Sequence, residues 1–225
     1  MRGRGLLAVV AHPDDEAFGC GGTLALHAMR GHAAVVLSLT CSAEERRREL
    51  EAASEALGID APMVFDGERL GAGGDVIDRI SDAIVSRRPE IVITHLPFDY
   101  HREHRLCLEL VREAIEWAAH ATARGDPWRV GRLLLMEVNT LIPTPHVIVD
   151  VSEAFDRKME AIRRYATQLA KFPDGYYQMF SRSKAELRGV QGGCRHAEAF
   201  LEEPLTRNSP FYTARSTRDL FEAYG

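Results

Sequence analysis

The feature that most constrains this chain is an apolar run that ends in charge: Leu6-Leu7-Ala8-Val9-Val10-Ala11 passes directly into His12-Pro13-Asp14-Asp15-Glu16. A buried strand that stops in a histidine and carboxylates presents metal-binding and titratable groups at its carboxyl edge. The Pro13 ring fixes its own φ and restricts His12 before it, which keeps that turn stiff. A second run, Glu90-Ile91-Val92-Ile93-Thr94, ends the same way, in His95-Leu96-Pro97-Phe98-Asp99-Tyr100-His101-Arg102-Glu103-His104. Two such strand ends can share a site only if the strands are parallel and close in one sheet.

The remaining pattern supports that sheet. Residues 33–40 form a continuous apolar strand, followed by a charged helix over 43–57 that Cys41-Ser42 would cap and Gly58 would end. A short strand is expected at 62–65, a glycine-rich loop at 67–74 and an amphipathic helix over 75–88 before the strand at 91–94. That unit is a β-α-β crossover, hence right-handed and parallel. A long helix over about 103–121, strands at 132–138 and 147–151, and a helix over 152–169 capped by Ser152 complete the alternation. From Lys171 the pattern dissolves around Phe172, Tyr176 and Tyr177, leaving a short basic helical piece at 183–188. Residues 171–225 are therefore expected to be a loop-rich tail that shapes a substrate mouth. Five or six strands alternating with helices predict one α/β domain over 1–225, a Rossmann-like open sandwich with a mostly parallel sheet and its active site at the carboxyl edge of the strands.

Composition narrows the partners. A net charge of −5 lacks the clustered excess of Lys and Arg that nucleic acid demands. No apolar run approaches the roughly 20 residues of a membrane span. The first apolar stretch enters the His12 motif with no small-residue cleavage site, so it is expected to be a strand and not a secretion signal. Cys20, Cys41, Cys107 and Cys194 are scattered, with no Cys-x-x-Cys pair, which fits free thiols and a cytoplasmic location. The run Arg46-Arg47-Arg48 is most simply a solvated helix face among Glu44, Glu45, Glu49 and Glu51.

His12, Asp15 and His104 make a two-histidine, one-carboxylate set, the composition that holds catalytic Zn2+ with a coordination position left open. Non-haem Fe2+ and other divalent ions take similar ligands. Asp14, beside Asp15, is placed to act as general base on a water. His101, three residues before His104, is expected to carry a positive charge that stabilises an oxyanion and then protonates a leaving amine, with Glu103 or Asp99 fixing its tautomer.

The two motifs together resemble those of the LmbE-like (PIG-L) family of zinc-dependent N-deacetylases. The resemblance extends through Arg46 and Glu49 with Leu57-Gly58, Lys158 with Gln168, and Arg188-Gly189 with Ala197-Glu198-Ala199-Phe200. It implies removal of an acetyl group from an N-acetylglucosamine-type sugar or conjugate, with His12, Asp15 and His104 on zinc, Asp14 as base and His101 as acid. It also places Arg46 and Asp99 among the groups that contact a small amino-sugar substrate, and it is compatible with a homo-oligomer. The chain departs from the family pattern at Glu103, where aspartate is usual, and at Tyr165, where histidine is common.

Other readings fit less well. Gly19, Gly21 and Gly22 follow a strand, but the dinucleotide-binding spacing fails at Leu24, and the carboxylates of the turn would repel a pyrophosphate. A serine hydrolase would need a Gly-x-Ser-x-Gly elbow, which is absent. A metal-binding relative without turnover is separated from an enzyme by a deacetylation assay. His95 fits either a group supporting the site or a buried histidine bonded to backbone; His146 and His196 are read as structural.

Overall fold

In the computed structural model the described residues are 5–120 and 125–205. Their elements run β1 (Leu6–Val10), α1 (Asp15–Met29), β2 (Ala34–Ser38), α2 (Glu44–Leu57), β3 (Met63–Val64), α3 (Gly74–Arg87), β4 (Ile91–His95), α4 (Arg102–His120), β5 (Arg132–Met136), β6 (Val147–Asp150), α5 (Phe155–Arg164), α6 (Ala166–Leu169), α7 (Tyr176–Gly192) and β7 (Ala197–Glu203). The sheet has seven strands in the order β3-β2-β1-β4-β5-β7-β6. Pairings from β3 to β5 are parallel, and β7 is antiparallel to both β5 and β6.

Successive residues of β1 point into opposite layers. Leu6, Ala8 and Val10 join one core with Leu24, Leu50 and Ile162, whereas Leu7 and Val9 join the other with Ile80, Leu108 and Val111. The strand is apolar at every position because both of its faces are covered, as parallel sheets require. Gly22 lets α1 lie against the sheet: a Cβ there would stand 2.8 Å from Val151 Cβ. The glycines after β1 thus serve close packing, and the N–H groups of Gly22 and Thr23 are bound by the Glu198 carboxylate (2.8 Å each).

Three local expectations give way. The loop-rich tail is instead α7 and β7 over 176–192 and 197–203, while residues 206–225 lie outside the described residues. The buried stripe of α7 is Ser181, Lys184, Ala185, Arg188 and Gly189, which has helical spacing but not helical hydrophobicity. In β7 a buried glutamate, Glu198, breaks the apolar pattern. Ser42 does not cap α2, whose N-cap is Ala43. Ser152 hydroxyl is bonded to Asp150 instead, so α5 starts only at Phe155, and Tyr165 (φ −86, ψ 57) divides it from α6. The helix expected to reach residue 121 is described to His120. Among the described residues no helix is long and apolar enough to cross a membrane.

Candidate metal centre and cavity

The chain leaves β1 toward β2 and β3 on one side and returns to β4 on the other, so β1 and β4 flank the point where strand order reverses. Crevices at such points, outside the carboxyl ends of the strands, are where open α/β sheets bind ligands. Parallel register Leu6↔Ile91, Leu7↔Val92 and Ala8↔Ile93 brings the two strand ends together.

Asp15, first residue of α1, is the hub. Its Oδ2 lies 3.4 Å from His12 Nδ1, and its Oδ1 lies 3.2 Å from His104 Nε2. The opposite nitrogen of each imidazole is already engaged: His12 Nε2 with Glu103 (2.7 Å), His104 Nδ1 with Asp99 (3.2 Å). Each imidazole thus turns one nitrogen toward a different oxygen of the same Asp15 carboxylate, at 3.4 and 3.2 Å. Tetrahedral zinc with bonds of about 2.0–2.1 Å has edges of about 3.3 Å, the size of both His–Asp15 gaps, so two imidazoles and a carboxylate at this spacing suit such an ion. His95 and His104 also group with Asp15, as His101 does with His12 and His104, each set within 4.8 Å. The Nε2 of His95 already accepts the Ala11 N–H (2.9 Å), which ties up its lone pair. Burial pushes this imidazole down to about 3, in keeping with a neutral acceptor. Stacked on His104 at 4.0 Å, His95 is both bonded to backbone and in support of the site.

Electrostatics favour a cation here. Burial pulls the His104 pKa down but Asp15 and Asp99 outweigh it, raising it to about 10. For His12, too, burial is outweighed by Asp15 and Glu103, and the pKa is raised. Burial would raise Asp15, yet His104 and His95 hold it well below the usual carboxylate range.

Asp14 stands beside this hub in an unusual backbone conformation, φ 112 and ψ −31. A non-glycine residue held there costs on the order of 1–3 kcal/mol, so the surroundings must enforce it. Glu16 Oε2 accepts the Asp14 N–H (3.1 Å) from behind, and the other oxygen of Glu16 accepts the hydroxyl of fully buried Tyr165. From the other side Arg46 donates to Asp14 Oδ2 (2.9 Å) and to the Pro13 carbonyl, while it also pairs with Glu49 (2.8 Å). Burial and the neighbouring Asp15 charge raise the Asp14 carboxyl to about 7 against the pull of Arg46. Burial likewise raises Glu16, to about 8.

Four expectations change. Glu103 is hydrogen-bonded to His12, not to His101, because its side chain reaches back over the turn. Asp99 is buried, accepts the His101 N–H (2.9 Å) and faces His104, and it is not among the residues that line the cavity. Arg46 lines the cavity but its guanidinium is committed to Asp14, Pro13 and Glu49. His101 has no hydrogen-bond partner at its buried Nδ1, and burial with the nearby His104 and His12 lowers its pKa below 6.5, which opposes a resting positive charge.

A cavity of about 350 Å³ opens over these groups, lined by His12, Asp14, Asp15, His101 and His104 and, from elsewhere, by Glu68, Asn139, Gln168, Lys171, Tyr177 and Phe180. The sequence offered no role for Glu68, Asn139 or Phe180, which lie in connections or on α7, far from either motif; Gln168 was reached only through the family resemblance, and Tyr177 carried a hint as one of three aromatics in the expected mouth.

The family model described as PIG-L, GlcNAc-PI de-N-acetylase, matches residues 7–115, a span that contains His12, Asp14, Asp15, Arg46, Asp99, His101, Glu103 and His104. A 1D-myo-inositol 2-acetamido-2-deoxy-alpha-D-glucopyranoside deacetylase from Mycobacterium sp. (strain JLS) is 28% identical, with 76% of each chain covered. A 4-oxalmesaconate hydratase from Pseudomonas putida is 26% identical over 82% of this chain and 80% of its own. The crystal structure of a conserved protein from Thermus thermophilus superposes with a TM-score of 0.80 at 29% identity, covering 93% of this chain and 99% of that one. Over residues 7–115 the chain is therefore similar to the PIG-L (LmbE-like) family.

Proposed function

We propose that this chain is a divalent-metal hydrolase of the PIG-L type that removes the acetyl group from the amine of an N-acetylglucosamine-type sugar or conjugate. The observation that carries this reading is the convergence of His12 Nδ1, the Asp15 carboxylate and His104 Nε2, with Asp14 beside them on one cavity wall. The deacetylase activity in the name of the mycobacterial relative supports it. His12, Asp15 and His104 would hold Zn2+, or Fe2+ or another divalent ion, and a bound Zn2+ would supply Lewis-acid polarisation of the amide carbonyl and a water acidified to near neutral pH.

Asp14, titrating near 7, is matched to take the proton of the attacking water. With Arg46 on Oδ2, that proton goes to Oδ1, and the strained backbone holds the carboxylate in one pose. His101, neutral at rest, donates a hydrogen bond to the oxygen that becomes negative. As the water oxygen bonds to the carbonyl carbon and the carbon–nitrogen bond breaks, the proton held by Asp14 passes to the departing amine, giving acetate and a free amino sugar. Glu103 and Asp99 act as positioning residues for His12 and His104, orienting each ring through its second nitrogen.

The hydratase relative motivates a second reading, water addition to a carbon–carbon double bond in a carboxylate substrate. The cavity favours the sugar: of its two cations Arg46 is already paired with Asp14 and Glu49, and Glu68 adds a carboxylate to the wall. Acetate release from a panel of N-acetylglucosamine conjugates decides between them, alongside metal analysis of the parent and of His104→Ala. The parent is expected to hold close to one metal per chain and the variant to lose it. No acetate from metal-loaded protein on any conjugate would sink the hydrolase reading, and unchanged metal in His104→Ala would sink the ligand set.

A further inference from the structure

The cavity is small and one side of its rim is aromatic. At about 350 Å³ it lies near the lower end of the roughly 300–1,000 Å³ typical of small-molecule sites. Thr40, Ser42, Glu68 and Gln168 give it a hydroxyl-matching interior suited to one amino-sugar ring with its acetyl group. Whatever that sugar carries must lie outside, on the rim. On the α7 side the cavity is bounded by Tyr177 and Phe180, and these two rings belong to a cluster that continues beyond it. Phe172 packs on Tyr176 (centroids 5.3 Å, planes 30° apart) and meets Tyr177 edge-on (5.2 Å, 85°). Tyr176 in turn lies nearly parallel to Phe180, at 6.4 Å and 7°.

This cluster is not simply core. Tyr177 is anchored on buried Phe18 at 5.3 Å, yet Phe172 and Tyr176 remain 47% and 46% exposed. Tyr100, 73% exposed, stands against the ring of cavity-lining His101 at 6.2 Å. Contiguous exposed aromatics that run on from a ligand cavity mark a binding surface, and scattered single ones do not. Planar rings with free faces select planar partners through offset or edge stacking.

We propose that Phe172, Tyr176, Tyr177 and Phe180 form a second subsite, a ledge that binds an aromatic group attached to the amino sugar whose acetyl is removed in the cavity; this rests on the deacetylase reading above. The substrate class is thus an aryl-bearing N-acetylglucosamine conjugate, in which the hydroxyl-rich ring enters and the flat apolar part stays on the ledge.

The test compares the phenyl, octyl and methyl β-glycosides of N-acetylglucosamine as substrates of the metal-loaded parent and of a Phe172→Ser, Tyr176→Ser double variant. Both substituted residues are exposed and outside the catalytic machinery; melting temperature and metal content check that the variant folds. The parent should favour phenyl over methyl by roughly 5- to 10-fold in KM, the scale of one or two ring contacts. The variant should lose that preference while its constants for the methyl glycoside stay unchanged. Equal handling of phenyl and methyl by the parent, or a preference kept in the variant, overturns the ledge and leaves the deacetylase standing. Tighter use of octyl than of phenyl overturns the aromatic assignment in favour of an alkyl chain. A dimer of the parent that the variant lacks, seen by sedimentation, would assign the patch to a second copy of the chain. Hydrolysis of none of the three overturns the deacetylase reading and the ledge with it.

Discussion

Two groups of buried charge sit on either side of the start of α1, and their hydrogen bonding differs. In the first, Glu198 accepts from Gly22 N, Thr23 N, the Thr23 hydroxyl (2.6 Å) and Lys158 Nζ (2.5 Å). Glu137 pairs with Arg188 and takes the Ile142 N–H, and Lys184 Nζ donates to the carbonyls of Phe18 (3.2 Å), Glu137 (2.6 Å) and Val138 (3.3 Å). In the second, His12 and His104 each turn a nitrogen toward Asp15, and the Nδ1 atoms of His95 and His101 are buried without a partner. A closed network locks elements together, here α1, α5, α7 and β7. A network that stops short of closure keeps donor atoms in reserve for something that binds, and it can do so only because the closed one holds its scaffold.

That contrast can be broken by experiment. Glu198→Gln leaves Lys158 buried beside a neutral group and should cost about 3–5 kcal/mol of stability in urea unfolding, the scale for breaking a buried pair. Metal stoichiometry of the folded fraction should not change; a loss under 1 kcal/mol would show that the network is no staple. Asp14→Asn should reverse the profile, with metal retained and turnover down at least about 100-fold, or about 2.7 kcal/mol in the barrier. Parental turnover in that variant would demote Asp14 to a structural residue.

Glu103→Gln sharpens the comparison at one contact. If Glu103 orients His12, metal affinity should weaken roughly 10- to 100-fold in a chelator competition, as for other carboxylates behind metal-binding histidines. An unchanged affinity would leave Glu103 only a favourable charge in the first turn of α4. An effect seen only on changing pH concerns Lys184, whose pKa burial lowers from 10.5 to about 7. Between those values the unfolded chain holds a proton that the folded chain lacks, so this group makes stability rise with pH from about 7 toward 10.5, by up to about 1.4 kcal/mol per unit. Lys184→Met should flatten that slope; an identical slope in both proteins would mean that Lys184 stays charged on its three carbonyls.

The parallel half of the fold was legible because β1, β2 and β4 are apolar at successive positions and α3 keeps helical period, signals that survive in any tertiary context. The α7–β7 region was not. Its inward residues include Lys184, Arg188 and Glu198, so its burial depends on partners from α1, α5 and the connection just after β5 that hydrophobic periodicity does not record. Tyr165 shows the same limit. As one of two departures from a family pattern it pointed to no partner, whereas in the fold it is the buried donor to Glu16, 149 positions away, behind the Asp14 turn.

By itself, the sequence determined which chemical groups stand at the ends of β1 and β4, and hence that a metal-binding, proton-moving site was available there. Chain spacing can do this because residues within one turn of one another stay neighbours in any fold. Tertiary structure alone decided which group holds which: Glu103 on His12 across 91 positions, Asp99 on His104, Arg46 on Asp14, and the aromatics of α7 on the rim. Each histidine or carboxylate keeps a second hydrogen-bonding position open, and only the packing of separate elements settles which distant side chain reaches it.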